Sequence, residues 1–461
     1  MWVFQIMLII LMAIGTHSTL PTCDVELTEI ESIIDKIITS LKHSGYEVVE
    51  GTMKVYDSNS FGANPGNPYI TYFHPGLVES KFPVFSMKEK SAVIFVGCTP
   101  STTSYFSWRS YAMFSRRKLV FASLGDSLNN MIINTTSKTT LAGGKLTSVI
   151  TTADANVYED LSNVLTESGV RAVNLDAIPS SLQALDLKEA KFIMLHRASV
   201  WGSEQEKQAY FSQTRRILFV NAPKTAKQNS LPIFPLRKRG DGVKESTMPK
   251  LKENLDALRS NILSEMESKG YNLFGEIQLY DLGLDGFECL KTGENCKGDN
   301  HDTNYLVYHD DSFDQNNVYV IYGTNSVETS KCTYVNIGLY QVHKTSLFNV
   351  TKLKSTNLTV DNRAFVGSSE IRGVSDDRVF VFTLRRDGCQ DKFCLSVDKT
   401  SIPSNTKWAL AFRTYLDPAT ATGPKLDEIV FPKVLKFTSS SSRQVHNNTI
   451  KKVNLNNDEY Y

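Results

Sequence analysis

The sequence lacks an excess of either charge, and beyond its first residues it lacks long hydrophobic runs. Its 50 Lys and Arg residues are balanced by 49 Asp and Glu residues, which gives a formal net charge of +1. Such a balance provides no overall field that would attract nucleic acid or anionic lipid. A membrane-spanning helix needs about 20 apolar residues, and no later segment is that long and apolar. We therefore expect no nucleic-acid partner and no transmembrane segment.

Local signatures of catalysis are also missing. The chain contains no Gly-x-Ser-x-Gly nucleophile elbow, no His-Glu-x-x-His motif, no phosphate-binding loop and no glycine-rich dinucleotide fingerprint. Each of these motifs places a nucleophile, a metal or a phosphate in a defined local geometry. Their absence excludes only the enzymes that carry them. Glycosidases and many lyases assemble carboxylates from distant strands, so that class of enzyme stays open.

Cysteine is scarce, with seven residues in a chain of 461. This number is too small for a disulfide scaffold, and the spacing does not match a zinc site. The spacing favours local loops, in which Cys289 pairs with Cys296 and Cys389 with Cys394, and a bond between Cys23 and Cys98 is a plausible long closure. Cys332 is then left over. It is either a buried thiol, which we favour, or one end of an intermolecular bridge.

The N-terminus predicts export from the cell. Residues 1–18 read as a secretory signal peptide, because an apolar run from Trp2 to Met12 is followed by small residues. No Lys or Arg precedes that run, so an uncleaved anchor is the alternative. Four Asn-x-Ser/Thr acceptor sites agree with export, at Asn134, Asn349, Asn357 and Asn447. Together with the cysteines, these features predict a secreted, extracellular glycoprotein with disulfide bonds.

Two segments have the spacing of amphipathic helices. Apolar residues recur on one face over residues 28–43, where Thr28 and Glu31 form a predicted capping box. The same pattern recurs over residues 249–269, where Pro249 is predicted to open the first turn. A further helix is expected from residue 156 to residue 167.

The segments that follow the two amphipathic helices match each other in order. The matched pairs are residues 45–49 with 270–274, 69–72 with 305–308, 93–97 with 319–323, and 192–197 with 408–413. Any one match between apolar strands arises easily by chance, whereas a collinear series does not. The sequence therefore predicts an internal repeat.

We predict an α+β fold of two tandem similar halves, each a mainly antiparallel β-sheet domain with an N-terminal amphipathic helix. The predicted divisions are a signal peptide (1–18), a first repeat domain (24–221), a linker (222–248), a second repeat domain (249–437) and a disordered polar tail (438–461).

The most polar stretch of the chain suggests a Ca²⁺ site. Carboxylate and amide oxygens are the ligands that Ca²⁺ prefers. An EF-hand beginning at Asp310 fails, because Gln315 stands where Gly is needed and Ile321 where Glu is needed. The candidate ligands of a loop site of another kind are Asp299, Asp302, Asp310 and Asp314. Otherwise these residues form turns on either side of a strand.

Five residues are candidates for catalysis or anion binding. His301 would act with Asp302 as an acid and base pair, or would bind a metal together with His309. Arg197 and Arg413 occupy corresponding places in the two halves, where they would clamp a carboxylate or sulfate between them. Alternatively, each arginine anchors its own half, which we favour. His196 lies beside Arg197 but has no counterpart in the second half.

The linker contains Arg239, Gly240 and Asp241, a tripeptide that resembles integrin-binding motifs. An adhesive contact through these residues is one hypothesis, and a solvated basic connector is the simpler interpretation.

The leading functional hypothesis is a secreted, non-enzymatic glycoprotein that is matrix-associated or binds an extracellular ligand, with Ca²⁺ dependence as one version. The alternative is a secreted hydrolase or lyase with its site between the two halves.

Overall fold

The computed structural model describes residues 23–56, 63–66, 69–77, 83–136, 143–182, 185–212, 216–344, 351–386 and 388–439. Over these residues the fold is mixed α+β and mostly β-sheet, with five α-helices. Among them, none of the helices has the length and hydropathy needed to cross a membrane. The predicted signal peptide, the acceptor sites Asn349 and Asn447, and the tail from residue 440 lie outside the described residues.

The helices are α1 (Leu27–His43), α2 (Ala155–Glu167), α3 (Glu204–Ser212), α4 (Leu251–Ser268) and α5 (Gly286–Thr292). The strands before residue 222 are β1 (Glu47–Tyr56), β2 (Tyr69–Phe73), β3 (Ser91–Cys98), β4 (Thr103–Ser115), β5 (Lys118–Ser123), β6 (Leu128–Asn129), β7 (Leu146–Thr152), β8 (Val173–Ala177), β9 (Lys191–Trp201) and β10 (Arg216–Asn221). The strands after residue 270 are β11 (Tyr271–Gln278), β12 (Tyr280–Asp281), β13 (Thr303–Asp310), β14 (Asn317–Thr324), β15 (Tyr334–Lys344), β16 (Thr351–Asp361), β17 (Val379–Arg385), β18 (Cys394–Ser396), β19 (Trp408–Tyr415) and β20 (Lys433–Ser439).

Strands β1 to β10 form one sheet in the order β5-β4-β9-β2-β1-β10-β3-β7-β8, with β6 paired to β4. The long strand β1 makes the sheet continuous, because residues 47–51 pair with β10 and residues 52–56 pair with β2. The strand pairs are antiparallel except β7 and β8, which are parallel and are connected through α2. We call residues 23–221 the N-terminal region.

Strands β11 to β20 form two five-stranded sheets. Their orders are β11-β20-β14-β17-β18 and β12-β13-β19-β15-β16. The pairs are antiparallel except β17 and β18, which are parallel. We call residues 249–439 the C-terminal region and residues 222–248 the connecting segment.

Helix α1 lies on the N-terminal sheet through one apolar face. Ile34 and Ile37 are fully buried on that face, in a cluster that includes Ile94 of β3. The capping box predicted here is not formed. The helix begins at Leu27 and its N-cap residue makes no side-chain cap hydrogen bond, so Thr28 already lies in the first turn.

Helix α4 covers the β11-β20-β14-β17-β18 sheet in the C-terminal region. Its Leu258 and Ile262 are buried in a cluster with Val320 of β14. The prediction that Pro249 opens the first turn is wrong. Lys250 has a left-handed φ of 62° and stands as the N-cap, so Pro249 precedes the helix.

A segment of the C-terminal region packs into the N-terminal region. The stretch between β12 and β13 lies against the N-terminal region, where the Cys296 amide donates to the Val120 carbonyl of β5 over 2.8 Å. Cys296 and Leu290 belong to the hydrophobic core of that region. The regions therefore share interior surface.

Three pairs of cysteines lie at disulfide distance, and they are the pairs expected from spacing: Cys23–Cys98, Cys289–Cys296 and Cys389–Cys394. Cys332 is a free thiol and is buried, and its burial raises its pKa. This position favours the buried-thiol interpretation over an intermolecular bridge.

Candidate functional site

The polar stretch around Asp299 lies between the two regions. The Asp299 carboxylate accepts hydrogen bonds from the Ser123 amide over 2.7 Å and from the Ser123 hydroxyl over 2.6 Å. The Asp302 carboxylate accepts from the Tyr105 hydroxyl over 3.0 Å and from the Asn129 amide over 2.9 Å. Both carboxylates are buried. They therefore fasten the C-terminal region to the N-terminal region.

Burial raises the pKa of Asp299 and of Asp302, because an ionised carboxylate loses its hydration there. The Ser123 hydrogen bonds oppose this shift at Asp299, and the Arg237 guanidinium, 3.7 Å away, opposes it at Asp302. Carboxylates whose oxygens are occupied by protein donors are poorly placed to bind Ca²⁺.

The four predicted Ca²⁺ ligands do not converge. Asp302 directly precedes β13 and Asp310 is its last residue, so the length of the strand separates the two by roughly 26 Å. Asp310 accepts hydrogen bonds from the Tyr319 hydroxyl and the Lys436 ammonium. Asp314 is exposed on the following turn. The acidic stretch is thus divided between an interface and a distant turn.

A different carboxylate cluster was not apparent from the sequence. Asp241, Asp417 and Glu428 lie close enough together to hold a metal ion. The Lys331 ammonium stands among them, at 2.7, 3.1 and 2.8 Å from their oxygens. Burial alone would lower the pKa of the Lys331 ammonium. The three carboxylates together have a larger, opposite effect, so its pKa is raised. A lysine therefore occupies the place of a cation. These residues are far apart in the chain, so no local motif could have revealed them.

His301 is held by the connecting segment. Its Nε2 lies 2.8 Å from the Arg237 carbonyl, and its Nδ1 faces the Arg239 Nε at 3.4 Å. Burial lowers the pKa of His301, and the charge of Arg239 lowers it further. Both ring nitrogens are thus engaged by protein groups, and Asp302 faces the other region. The predicted acid and base pair is not assembled.

The Arg-Gly-Asp tripeptide is folded back on the protein. The Arg239 guanidinium donates to the Thr303 carbonyl over 3.0 Å and also to the Asn304 side chain. Asp241 is bound to Lys331 over 2.7 Å. An adhesive contact needs both charged side chains to project freely, and this geometry does not present them.

Arg197 and Arg413 lie in similar tyrosine cages. The Arg197 guanidinium is 4.8 Å from the Tyr69 ring centre and donates to the Tyr111 hydroxyl over 2.6 Å. The Arg413 guanidinium lies over Tyr305 and Tyr340, at 5.6 and 5.3 Å. Desolvated cation–π contacts of this kind contribute about 2 kcal/mol each.

The guanidinium groups of Arg197 and Arg413 both affect the pKa of Tyr69. Burial works against ionisation of Tyr69, but the charges of Arg197 and Arg413 outweigh burial and lower its pKa. Both arginines are nearly inaccessible, at 1% and 3% exposed. An external anion could reach them only if the interior opened. The geometry therefore favours the anchoring interpretation.

His196 is enclosed in the core of the N-terminal region. Its ring stacks on Trp108 with the ring centres 4.0 Å apart, and Tyr210 contacts it from α3. The residue is fully buried. The structure thus places His196 in a packing position.

The boundary between the regions contains a cavity of about 520 Å³. Its lining comes from all three parts of the chain: Ser123 and Gly125, then Leu236 and Arg239, then Asp281 and Phe287. Among the sequence candidates, Asp299, His301 and Arg239 contribute to this lining, whereas Gly240 and Asp241 do not. Ligand cavities typically measure about 300–1,000 Å³ and lie at boundaries between domains. The cavity is therefore the candidate functional site.

Sequence reasoning did not find most of this lining. Leu236 belongs to the predicted linker, and Phe287 lies in the short helix α5. Only the prediction of a site between the halves pointed to this place. Of the described acceptor sites, Asn134 and Asn357 are both exposed, so each side chain is accessible to a glycan.

No family model and no curated protein matches the chain. Among solved structures, an uncharacterised protein from Burkholderia cenocepacia aligns over 91% of this chain and 92% of its own, with 10% identity and a TM-score of 0.42. A protein from Vibrio parahaemolyticus aligns over 89% of this chain and 99% of its own, with 11% identity and a TM-score of 0.37. At this level of similarity they say nothing about function.

Proposed function

We propose that this chain is a secreted, N-glycosylated, non-enzymatic protein that binds a small extracellular ligand in the cavity between two duplicated halves. The single observation that carries the binding role is the cavity itself, which is formed jointly by both regions and the connecting segment. Its volume of about 520 Å³ suits a small organic molecule. Disulfide bonds and two exposed acceptor asparagines support the extracellular part of the proposal.

The strand orders support duplication. Strand β1 corresponds to β11 and β12 together. On one side of it, the order β2-β9-β4-β5 corresponds to β13-β19-β15-β16, and on the other side β10-β3-β7-β8 corresponds to β20-β14-β17-β18. The parallel pair closes each series, as β7 with β8 and as β17 with β18. Chance rarely repeats an order of this length, and each series follows an α-helix.

The tyrosine cages support duplication at the level of single residues. Arg197 is opposite Tyr69 in the β2–β9 ladder, and Arg413 is opposite Tyr305 in the β13–β19 ladder. On the other side, Arg197 is opposite Ser107 and Arg413 is opposite Asn336. The second caging tyrosine, Tyr111 or Tyr340, comes four residues later in each case.

His301 argues against the version of the hydrolase or lyase alternative in which a histidine is the general base. It is the one histidine at the cavity among the described residues, and both its ring nitrogens are engaged by the connecting segment. A general base needs a free nitrogen within hydrogen-bond reach of its substrate.

The test is ligand-observed NMR with a library of small fragments on the secreted protein. Leu236→Trp would fill the cavity from the connecting segment, whereas Ile233→Trp places the same side chain at an exposed position of that segment. We expect fragments that bind the wild type to lose at least about tenfold in affinity in Leu236→Trp. Their affinity for Ile233→Trp should be unchanged. Binding that survives Leu236→Trp, or a library with no binder, would refute the proposal.

A further inference from the structure

We propose that the cavity selects a small organic cation, meaning a protonated amine attached to an apolar body. This inference rests on the ligand-binding function proposed above and names the class of ligand. It follows from which charged groups at the cavity already have hydrogen-bond or ion-pair partners within the protein and which have backbone partners alone.

The cavity carries more negative than positive groups. Its lining includes four carboxylates, those of Asp281, Asp285, Asp299 and Asp427. The basic groups are the guanidinium of Arg239 and the ammonium of Lys425, together with the imidazole of His301. The Arg239 Nε donates towards the His301 Nδ1, and burial lowers the pKa of this imidazole, so we do not count it among the cations. Asp427 is paired with Lys425 and with Lys244, at 3.1 and 3.5 Å, so its charge is already balanced within the protein.

The two cations are already engaged by protein acceptors. The Lys425 ammonium pairs with Asp427 over 3.1 Å. The Arg239 guanidinium donates to the Thr303 carbonyl and to the Asn304 side chain. A carboxylate or phosphate on a ligand would have to displace these partners. The positive groups are therefore poorly placed to select an anion.

Asp281 is half-buried and Asp285 is exposed at the cavity, and neither carboxylate has a hydrogen bond from a cationic side chain within the described residues. Their described hydrogen bonds come from backbone amides alone, Gly283 over 2.8 Å and Glu288 over 3.1 Å. Within the described residues, no salt bridge involves either carboxylate. Arg239 is near enough to Asp281 for their charges to interact, yet its hydrogen bonds go elsewhere. Two acceptors thus remain for a cation from the ligand.

The same cavity provides an apolar wall. Leu236, Leu284, Phe287 and Leu426 all contribute to its lining. Apolar surface that is covered by a ligand contributes roughly 25 cal/mol per Å². The Phe287 ring would also attract a cation held above its face. A ligand with an ammonium group and a hydrocarbon or aromatic body satisfies both parts of the lining, whereas an inorganic cation satisfies only one.

The test compares three probes with the same ring and nearly the same chain: phenethylamine, 2-phenylethanol and 3-phenylpropionate. Their affinities for the secreted protein are measured by calorimetry at pH 7 in low salt. We expect phenethylamine to bind at least about tenfold more tightly than either other probe. Asp281→Asn should remove most of that preference, because Asn keeps the acceptor for the Gly283 amide but carries no charge. Added salt should weaken the binding of phenethylamine alone.

Asp311→Asn is the matched control, because it removes the same charge from an exposed residue outside the cavity. It should leave all three affinities unchanged. If 3-phenylpropionate or 2-phenylethanol binds as tightly as phenethylamine, the cation proposal is wrong while the ligand-binding cavity stands. If none of the three binds, the cation proposal is also wrong, and the fragment library with Leu236→Trp decides separately whether the cavity binds ligands.

Discussion

Tyr105 and Asp302 meet across the boundary between the N-terminal and C-terminal regions, where the tyrosine hydroxyl donates to the carboxylate over 3.0 Å. Both residues are fully buried. Separating the two regions would break this buried hydrogen bond, and a partner that stayed buried would be left unsatisfied. The two regions are therefore expected to unfold together, and the cavity between them depends on contacts of this kind.

Removing the Asp302 carboxylate is expected to weaken that boundary. Asp302→Ala would leave the Tyr105 hydroxyl and the Asn129 amide without their buried acceptor. We expect the free energy of unfolding to fall by about 3 kcal/mol. Urea unfolding followed by tryptophan fluorescence measures this change. Asp314→Ala removes an exposed carboxylate and should change stability by less than about 0.5 kcal/mol. Equal effects of the two variants would contradict the boundary role of Asp302.

Gly286 is required for the close approach of α5 to the N-terminal region. A β-carbon at this position would lie 2.5 Å from the Ser123 carbonyl oxygen and 2.9 Å from an Asp299 oxygen. Gly286→Ala should therefore cost about 1–3 kcal/mol and weaken probe binding in the adjacent cavity. Gly275→Ala is the control, because its β-carbon would meet no atom within 4 Å. Thermal melts of both variants compare the two positions, and an unaffected Gly286→Ala protein would rule out the tight contact.

Lys331 is expected to be essential for stability. Lys331→Met would leave the carboxylates of Asp417 and Glu428 buried without their shared cation. Loss of one member of a buried ion pair costs about 3–5 kcal/mol. Lys407→Met breaks an exposed pair with Asp311 and should cost no more than about 1 kcal/mol. Chemical denaturation of both variants tests the difference, and a cost below about 1 kcal/mol for Lys331→Met would contradict this role.

Glu276 gives a pH-dependent contribution to stability. Hydrogen bonds from the Arg259 guanidinium, at 2.8 and 2.6 Å, lower the pKa of Glu276 to about 2. A carboxylate with a lowered folded-state pKa stabilises the protein above its unfolded pKa, near 4.5, and loses that contribution as the pH falls through about 2. Glu276→Gln should therefore lower stability at pH 7 but have little effect near pH 2. Glu253→Gln, on the exposed face of α4, is the control. A cost that did not change with pH would contradict this assignment.

Metal removal is expected to have no effect on stability. Asp299, Asp302 and Asp310 are occupied by protein donors, and Lys331 fills the other carboxylate cluster. A thermal melt with excess chelator should therefore match the melt without it. A melting temperature that falls with chelator and is restored by Ca²⁺ would instead revive the Ca²⁺ hypothesis.

The spacing of apolar residues and the spacing of cysteines allowed part of the fold to be predicted from the sequence. The mixed α+β class followed from apolar periodicity. Two disulfide pairs followed from short polar loops, and the pair Cys23–Cys98 was predicted only as a plausible long closure. The predicted capping residues were a less reliable guide to where a helix begins. Thr28 and Glu31 have the spacing of a capping box, yet α1 begins at Leu27 and its N-cap residue makes no side-chain cap hydrogen bond.

The site was harder to predict because it depends on contacts between distant residues. Asp299 and Asp310 look like one acidic cluster in the sequence, but β13 carries the chain from the boundary to a distant turn. Asp281 and Leu236 approach the same cavity from strands and a connecting segment that no local pattern relates. Composition could indicate carboxylates in abundance, but only the fold shows which of them remain without a cation.

Hydrogen exchange measured by mass spectrometry, with and without saturating phenethylamine, can show whether a ligand occupies the cavity between the two regions. We expect protection in three separate stretches, around Ser123, around Leu236 and from Asp281 to Phe287, because all three line one cavity. Protection in all three would place the ligand between the two regions. Binding with protection confined to one region, or to a surface away from these stretches, would show that the ligand does not bind in this cavity.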